Sequence, residues 1–304
     1  MFMTDHSLSI TVDIEDWYHI PSVCGSPFSV YKDVNEFFGK WNDRYDYLSK
    51  PTKRVLDILD EFNVRATFFV VADLVEHYPG LVESIVERGH EIACHGLHHS
   101  CKIDPKSKQP LMSKTEFEKI TLKAKKELEK ISREEVAGYR APNAYVAGWM
   151  IDSLEKIGFK YDSSISKNSI YNKSDSPLKN VQTMPYYPIK GILEPGDHRQ
   201  IMEIPYSYFN FMGFKFPTGG GPLLRFLGAR YILLGLEQSL KRGDTIFYFH
   251  PIDISIEKFP TKFSANRPFY WSRKGEVVEK SLKFILNYIH TNKLKLKICK
   301  EISI

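Results

Sequence analysis

Two histidines four residues apart, His95 and His99, follow a short, mainly apolar segment, residues 91–94. A second apolar run, residues 8–14, leads into a cluster of three carboxylates: Asp13, Glu15 and Asp16. Two neutral imidazoles and one carboxylate form a ligand set that zinc accepts, and three protein ligands leave one coordination position open. An open position distinguishes a catalytic zinc site from a structural one. The residue types therefore indicate a catalytic metal centre, provided that the fold brings the two runs together.

The carboxylate that completes this centre depends on where the first strand ends. Side chains alternate between the two faces of a strand, so Asp13 and Glu15 share one face. Glu15 is therefore the predicted third ligand, and Asp16 is the alternative if the strand has already ended before it.

The four cysteines, Cys24, Cys94, Cys101 and Cys299, follow no dense pattern. This spacing favours reduced thiols in a cytosolic compartment. A closed structural zinc site that uses Cys94 and Cys101 is the weaker interpretation. Cys94 adjoins His95 on a predicted strand, so the two side chains should point to opposite faces.

Composition limits the classes of function. A chain of 304 residues with 42% hydrophobic and 13% aromatic residues can bury one sizeable core, which excludes a disordered chain. The net charge of +5 favours anionic partners, such as acidic glycans or phosphate-bearing carriers, but falls short of a nucleic-acid-binding signature. Neither a signal peptide nor a transmembrane segment is predicted, so we expect a cytoplasmic protein, at most at the inner face of the membrane. The sequence indicates no oligomeric state.

The chain alternates predicted strands and helices, which favours an α/β fold with a mainly parallel sheet and outer helices. Strands are predicted at residues 8–14, 65–71, 91–94, 136–141, 160–163, 201–205, 245–250 and 294–298. Helices are predicted at residues 54–62, 81–88, 114–131, 148–157, 223–240 and 276–289. Residues 17–50 and 166–200 have no clear period and are predicted to be irregular insertions in a single domain, residues 1–304.

Ionisable side chains recur where predicted strands end. Beyond the acidic cluster and the two histidines, these side chains are Arg140, Asp162 and His250. In α/β barrels the chemistry gathers at the C-terminal ends of the strands. Packing alone does not easily explain five strand ends that each carry an ionisable group, so we predict that they form one site.

This ordered set resembles the polysaccharide deacetylase family, the group with NodB homology. That family combines an acidic motif on the first strand, a His-x-x-x-His motif, an Arg-x-Pro motif, a later Asp and a C-terminal Leu-x-His-like motif. Four segments are similar to a cytoplasmic subgroup linked to exopolysaccharide or surface-glycan biosynthesis: residues 11–17, 138–142, 161–165 and 218–225. The resemblance implies an irregular (β/α) barrel with fewer than eight regular strands.

The resemblance also implies a metal-dependent hydrolase that removes N-acetyl groups from an amino-sugar-containing glycan. The substrate would be the glycan itself or a lipid-linked or nucleotide-linked precursor. A divalent metal, zinc in the first place and otherwise cobalt, nickel or manganese, would be held by His95, His99 and Glu15. It would activate a water molecule and polarise the carbonyl oxygen of the N-acetyl group.

The remaining roles follow from the same resemblance. Asp13 would be the general base, and Arg140 would keep its carboxylate ionised and oriented. His250 would protonate the departing amine, and Asp162 would keep His250 protonated and aimed. Acetate and a free amino sugar are the expected products.

Each of these roles has an alternative. Asp13 could ligate the metal or cap the following loop, and Arg140 could bind a phosphate or carboxylate of the substrate. Asp162 could cap the turn that follows it. His250 could be a core histidine. The glycines 219–221 predict a tight loop near the active site rather than a phosphate-binding loop, because no Gly-Lys-Ser/Thr follows them.

The sequence departs from the wider family in two places. Most members carry adjacent aspartates, a base followed by a ligand, whereas this chain reads Asp13-Ile14-Glu15-Asp16. Asn143 stands where many members have an aromatic residue that lines the sugar site, so Trp17, Tyr139 or Tyr145 would have to supply the stacking face. Two other functions are compatible with the same residues. One is a deformylase or another amide hydrolase, and the other is a catalytically inactive glycan-binding relative.

Overall fold

A computed structural model of the chain describes residues 5–20, 23–24, 29–41, 46–100, 103–104, 106–257 and 271–302. In chain order the strands are β1 (Ser7–Ile14), β2 (Thr67–Val70), β3 (Glu91–Cys94), β4 (Gly138–Tyr139), β5 (Tyr161–Asp162), β6 (Met202–Glu203), β7 (Tyr208–Phe211), β8 (Phe214–Pro217), β9 (Thr245–Phe249) and β10 (Lys295–Leu296). The helices are α1 (Val34–Trp41), α2 (Ser49–Glu61), α3 (Leu74–His77), α4 (Leu81–Val86), α5 (Lys114–Ser132), α6 (Gly148–Ile157), α7 (Pro222–Leu240), α8 (Pro251–Ile254) and α9 (Glu276–Thr291).

Eight of the strands form one parallel sheet that runs β10-β1-β2-β3-β4-β5-β6, with β9 also paired to β1. An isolated parallel bridge between Tyr206 and Ile246 brings the segment after β6 beside β9 and curls the sheet on itself. Parallel strands need long crossovers, and here the crossovers contain the outer helices. The result is the predicted irregular (β/α) barrel, of which the strands form a curled half-barrel.

Alternation along the strands divides the apolar side chains between two buried clusters. Phe68 belongs to the large cluster, whereas its neighbour Phe69 belongs to a smaller cluster with Tyr161, Tyr206 and Ile246. Successive strand side chains point to opposite faces, so the smaller cluster marks the inner face of the curled sheet. Asp13 is paired with Phe69 in the register of β1 and β2, which places Asp13 on that inner face.

The predicted elements agree with the structure most closely where the sequence is strongly periodic. Strand β3 and helix α6 have the predicted bounds, and the predicted strands at 136–141, 160–163 and 201–205 shorten to the two-residue strands β4, β5 and β6. The prediction that residues 17–50 form an irregular insertion is wrong, because this segment contains α1 and the start of α2. The antiparallel hairpin of β7 and β8 was not predicted. In the described part of the chain, no helix combines the length and the apolar composition that a membrane span requires.

Candidate metal centre and active site

Three side chains that the sequence predicts as metal ligands meet beyond the C-terminal ends of β1 and β3. The ligand atoms of Glu15, His95 and His99 all lie within 4.8 Å of one another, and all three residues are buried. Because β1 and β3 each pair with β2 in parallel, their C-terminal ends open at the same edge of the sheet. The topology therefore explains why residues so distant in the sequence share one site.

Backbone carbonyls fix the orientation of both imidazoles. Nδ1 of His95 lies 2.8 Å from the carbonyl oxygen of Arg140, and Nδ1 of His99 lies 3.1 Å from that of His19. A carbonyl oxygen only accepts, so each Nδ1 carries a proton, and in the neutral form of each ring Nε2 presents a lone pair to the site. His99 also adopts φ 51°, in the left-handed region that few non-glycine residues occupy.

The contact between His99 and Glu15 requires either a proton on His99 or a metal ion between the two side chains. Nε2 of His99 lies 2.7 Å from Oε2 of Glu15, so a neutral His99 would face the carboxylate lone pair to lone pair. Burial would lower the pKa of His99, but the charge of Glu15 and a hydrogen bond to it raise that pKa overall. Burial by itself would raise the pKa of Glu15, but the charges of His99, His250 and His95 and a hydrogen bond from His99 lower it overall. Burial lowers the pKa of His95 to about 4, which keeps its Nε2 available as a ligand at neutral pH. This donor set fits a divalent metal.

The alternative ligand, Asp16, lies outside this group. One of its oxygens accepts a hydrogen bond from the backbone N–H of Trp17 at 2.6 Å, and the other accepts one from the hydroxyl of Tyr78. Asp16 thereby caps the short 3-10 turn Trp17–His19, which in turn carries the carbonyl that holds His99. Its structural position favours Glu15 as the carboxylate of the centre.

Asp13 and Arg140 form a buried ion pair beside the histidines. Nη1 of Arg140 lies 2.6 Å from Oδ1 of Asp13 and also donates to the hydroxyl of Thr11. The other guanidinium donors reach the carbonyl and hydroxyl oxygens of Ser163, each at 3.0 Å, and the guanidinium lies 3.9 Å from the ring centroid of Phe69. Burial would lower the pKa of Arg140, but the charge of Asp13 raises it overall. The sequence predicted this pairing, and the structure brings the two side chains together.

His250 stands at the end of β9 and faces Glu15. Its Nε2 lies 3.2 Å from Oε1 of Glu15, and its Nδ1 donates to Oδ2 of Asp253 at 3.0 Å. The second oxygen of Asp253 is paired with the guanidinium of Arg225. Burial would lower the pKa of His250, but Asp253 and Glu15 raise it to about 9. His250 is therefore protonated at neutral pH in this arrangement.

The prediction that Asp162 orients His250 is wrong. Asp162 is fully buried, and its Oδ1 accepts a hydrogen bond from the hydroxyl of Ser164 at 2.7 Å. Glu203 lies beside it. Burial raises the pKa of both acids, and the carboxyl of Asp162 raises the pKa of Glu203 further, whereas a hydrogen bond with Glu203 lowers the pKa of Asp162. Asp162 points into this pair because β5 pairs with β6 and sets Asp162 opposite Glu203. The alternative, in which Asp162 caps the turn through Ser164, matches the observed hydrogen bond.

Asp253 takes the place that the family resemblance gave to Asp162. It lies three residues after His250, in the first turn of α8, and its Oδ2 also accepts the backbone N–H of His250 at 2.9 Å. A side chain at the third position of a helix reaches back to the residue before the helix in this way. The sequence His-Pro-Ile-Asp carries that spacing, with proline at the first helical position, so the signal was readable.

A cavity of about 460 Å³ is lined by side chains of the site: Asp13, Glu15, His95, His99 and His250. The predicted stacking residues Trp17 and Tyr139 are buried, and the aromatic side chains that line the cavity are instead Tyr206, Tyr248 and Trp271. Asn143, Ser166, Asn168 and Lys173 add a polar wall. One end of the cavity therefore carries the carboxylates and the candidate metal ligands, and its other wall carries neutral hydrogen-bonding side chains and one lysine.

The glycine run forms the predicted tight loop at this cavity. A Cβ on Gly220 would lie 1.8 Å from the backbone oxygen of Tyr248, and one on Gly219 would lie 2.0 Å from its ring. Backbone oxygens of a sheet strand cannot move aside, so this approach requires glycine. The run lies beside His250 because Tyr248 belongs to the same strand, β9.

The cysteine alternative has no support in the described residues. Cys94 is a buried free thiol whose pKa is raised to about 12 by burial, and Cys101 lies outside the described residues. The nearby histidines have other partners. His98 contacts Asp73 at 3.0 Å, and Nδ1 of His90 accepts the backbone N–H of Ala66.

The fold and the site define a (β/α) barrel with a buried Glu-His-His group at the C-terminal edge of its sheet. Residues 40–161 match the family model of polysaccharide deacetylase, and residues 173–293 match a domain of unknown function, DUF3473. Over the first of these segments the chain is similar to the polysaccharide deacetylase family. The parallel sheet takes strands from both matched segments, with β2, β3 and β4 in the first and β6 and β9 in the second.

Two curated relatives and one solved structure illustrate the likeness. A peptidoglycan deacetylase-like protein of Gibberella zeae is 34% identical over 117 residues, 37% of this chain and 32% of that protein. A peptidoglycan-N-acetylglucosamine deacetylase of Bacillus cereus is 28% identical over 109 residues, 36% of this chain and 47% of that protein. The chain thus spans about a third to a half of these relatives. A probable polysaccharide deacetylase from Pseudomonas aeruginosa shares the fold, with a TM-score of 0.59, 16% identity and coverage of 97% of this chain and 88% of that one.

Proposed function

We propose that the protein is a metal-dependent carbohydrate N-deacetylase that releases acetate from an N-acetylated amino sugar of a glycan or glycan precursor. One observation carries the proposal: a Glu15-His95-His99 donor set lies between a buried Asp13–Arg140 pair and the His250–Asp253 pair. A hydrolase of an unactivated amide needs an electrophile, a base and an acid around one cavity. These three groups supply one of each.

Glu15, His95 and His99 would hold the metal, and the hydrogen bonds of both Nδ1 atoms would fix the imidazoles for that purpose. When bound, a divalent metal such as zinc would polarise the acetyl carbonyl and make a water molecule more acidic. Cobalt, nickel and manganese accept a similar donor set, so the ligand types alone do not select the metal.

Asp13 would take the proton of the attacking water. One of its oxygens is engaged by Arg140, which leaves the other oxygen for proton transfer. A fully buried guanidinium with donors to Thr11 and Ser163 holds this carboxylate in one orientation. The pairing therefore suits Asp13 to the role of general base.

His250 would deliver a proton to the nitrogen of the departing amino sugar. It lines the same cavity as Asp13, and contacts with Asp253 and Glu15 raise its pKa to about 9. A general acid must carry its proton at the working pH, and a raised pKa supports this role at neutral pH. Asp253 orients the ring through Nδ1 and so directs Nε2 towards the reacting centre.

The cavity suits a sugar ring. Its volume of about 460 Å³ falls within the range of small-molecule sites, roughly 300–1,000 Å³. Its polar wall can donate to hydroxyl groups, and Tyr206, Tyr248 and Trp271 offer apolar ring faces. Together with the four segments similar to the surface-glycan subgroup, this lining supports a role in glycan biosynthesis. We place that role in the cytoplasm, with a polymer, a lipid-linked sugar or a nucleotide sugar as substrate.

Acetate release from N-acetylated oligosaccharides, measured with protein loaded with zinc or cobalt, tests the proposal. Turnover that is lost on chelation and restored by metal is the expected result. Release of formate from N-formyl sugars without release of acetate would instead establish a deformylase on the same site. Binding of the oligosaccharides without any release, in protein that holds metal, would establish a catalytically inactive glycan-binding relative.

A further inference from the structure

The hairpin of β7 and β8 carries four phenylalanines on one face. In its register Phe209 lies opposite Phe216, and Phe211 lies opposite Phe214. Residues two apart on a strand share a face, and residues directly opposite in an antiparallel pair share it as well. We call these four side chains, with Met212 at the turn, the phenylalanine face.

This face is exposed rather than packed. At the tip of the hairpin, Phe211, Met212 and Phe214 are 58%, 85% and 61% exposed, whereas Phe209 and Phe216 nearer its base are half-buried. The rings of Phe209 and Phe211 stack with their centroids 6.3 Å apart. Large apolar side chains exposed together, rather than singly, mark a surface that meets another apolar phase.

Helix α7 continues the apolar surface along the hairpin. The hydroxyl of Tyr231 donates to the carbonyl of Pro217, and the side-chain amide of Gln238 bonds both backbone groups of Asn210. Leu234 is 48% exposed and lies on the helix face between Tyr231 and Gln238, three residues after one and four before the other. Its side chain therefore extends the surface beside β7.

The charged side chains of this region are mainly cationic, and the one carboxylate of α7, Glu237, accepts a hydrogen bond from the hydroxyl of Tyr288. Residues 204–236 contain no Asp or Glu, but they contain Lys215, Arg225 and Arg230. Arg225 is buried and paired with Asp253. Arg230 is exposed on α7, and Lys215 alternates with Phe214 and Phe216 in β8, so its side chain points to the other side of the hairpin. An exposed apolar hairpin with a cation on its far side and another on the adjacent helix complements a surface of anionic headgroups.

The hairpin also stands beside the mouth of the cavity. Pro217, the last residue of β8, lines the cavity, and so do the glycines 219–221 that follow it. A surface that docked through the phenylalanine face would thus lie next to the site opening.

We propose that the phenylalanine face and the adjacent surface of α7 bind a lipid bilayer that contains anionic headgroups. The rings enter the boundary between headgroups and acyl chains, and the cationic side chains remain with the phosphates. Peripheral binding of this kind brings the cavity mouth to the bilayer surface. The inference does not depend on the proposed deacetylase activity.

Cosedimentation of the full chain with vesicles tests this proposal. Vesicles of mixed phosphatidylglycerol and phosphatidylcholine should retain the wild type, and a Phe211→Ser, Phe214→Ser double variant should bind about tenfold more weakly or worse, because two rings no longer enter the bilayer. The matched control is Leu111→Ser, which removes an apolar side chain that is 66% exposed elsewhere and should bind as the wild type does. Circular dichroism checks that the variants fold.

Two further measurements make the test independent of that double variant. Lys215→Glu with Arg230→Glu should weaken binding to the anionic vesicles and leave the weaker binding to pure phosphatidylcholine unchanged. The Phe214→Trp variant places a fluorophore in the face, and lipids with brominated acyl chains should quench its fluorescence more than that of the wild type.

Three results would overturn the proposal. The first is equal vesicle binding by the wild type and the double serine variant, and the second is added tryptophan fluorescence in Phe214→Trp that brominated lipid leaves unchanged. The third is vesicle-independent self-association that the serine variant abolishes, which would assign the face to contacts between copies of the chain.

Discussion

Nδ1 of His250 lies 3.0 Å from Oδ2 of Asp253, and this carboxylate is buried and neutralised on its other side by Arg225. The histidine and the aspartate that orients it are thus only three residues apart. Asp162, on β5, instead belongs to a separate buried pair with Glu203. The acid side of the site is therefore built locally, at the junction of β9 and α8.

Asp253→Asn should lower kcat by about tenfold to a hundredfold, because the ring of His250 loses its carboxylate partner while the metal donors stay in place. Asp162→Asn should change kcat by much less, since its contacts are with Ser164 and Glu203. Steady-state kinetics on both variants, with thermal midpoints measured alongside, compares the two positions. If Asp253→Asn kept the wild-type kcat while a folded Asp162→Asn variant was inactive, Asp162 would be the residue that orients His250.

Asp13→Asn should retain bound metal and lose kcat by a factor on the order of 10² to 10⁴, because the amide keeps the shape of the side chain but cannot take a proton. Metal content by elemental analysis and kcat on the same preparation separate the two effects. Near-normal turnover in this variant would remove Asp13 as the base. Lost metal would instead recast Asp13 as a ligand.

The wild type, supplied with zinc, should hold about one metal per chain, and His99→Ala should lose it. His98→Ala is the matched control, because His98 is the neighbouring imidazole but contacts Asp73 and lies outside the donor group. Chelation should lower the thermal midpoint of the wild type and of the control but not that of His99→Ala. Equal metal content in all three proteins would contradict the assigned site.

Glu203→Gln should flatten the pH dependence of stability. Burial beside Asp162 raises the pKa of Glu203 well above its unfolded value, so the folded state keeps a proton that the unfolded state releases. The stability that this proton gives is present below the unfolded pKa, about 4.3, and is lost as the pH rises towards the folded pKa. Urea unfolding at about pH 5 and about pH 8 should show a smaller loss in the variant than in the wild type. Parallel losses would show that the pair does not hold this proton.

The sequence predicts much of the site because parallel strands deliver their C-terminal residues to one edge. Asp13 lies near the end of a recognisable strand, and His95 and Arg140 each follow one, so their convergence follows from the alternation of strands and helices. The role of Asp253 was not predicted, because α8 is only four residues long and has no hydrophobic period. Asp162 was misassigned because its partner, Glu203, lies on a strand of two residues whose pairing the sequence does not reveal.

The hairpin shows a different kind of miss. Residues 209–216 read Phe-Asn-Phe-Met-Gly-Phe-Lys-Phe, an alternation interrupted by a two-residue turn with glycine. That pattern is typical of a hairpin and was readable. Its face, however, is not predictable from alternation alone, because apolar residues on one side of a strand normally point to the core rather than to solvent.

Strand β1 pairs with β9, which lies far along the chain. The hydroxyl of Thr11 donates to the carbonyl of Phe247, 236 residues later. During synthesis β1 leaves the ribosome long before β9. Until β9 follows, β1 lacks one of the neighbours that bury it along its whole length in the folded protein. Pairings this distant in sequence form slowly and leave unpaired strand edges exposed meanwhile. The nascent chain should therefore be a client for chaperones, and its chemistry can begin only after its two distant strands have met.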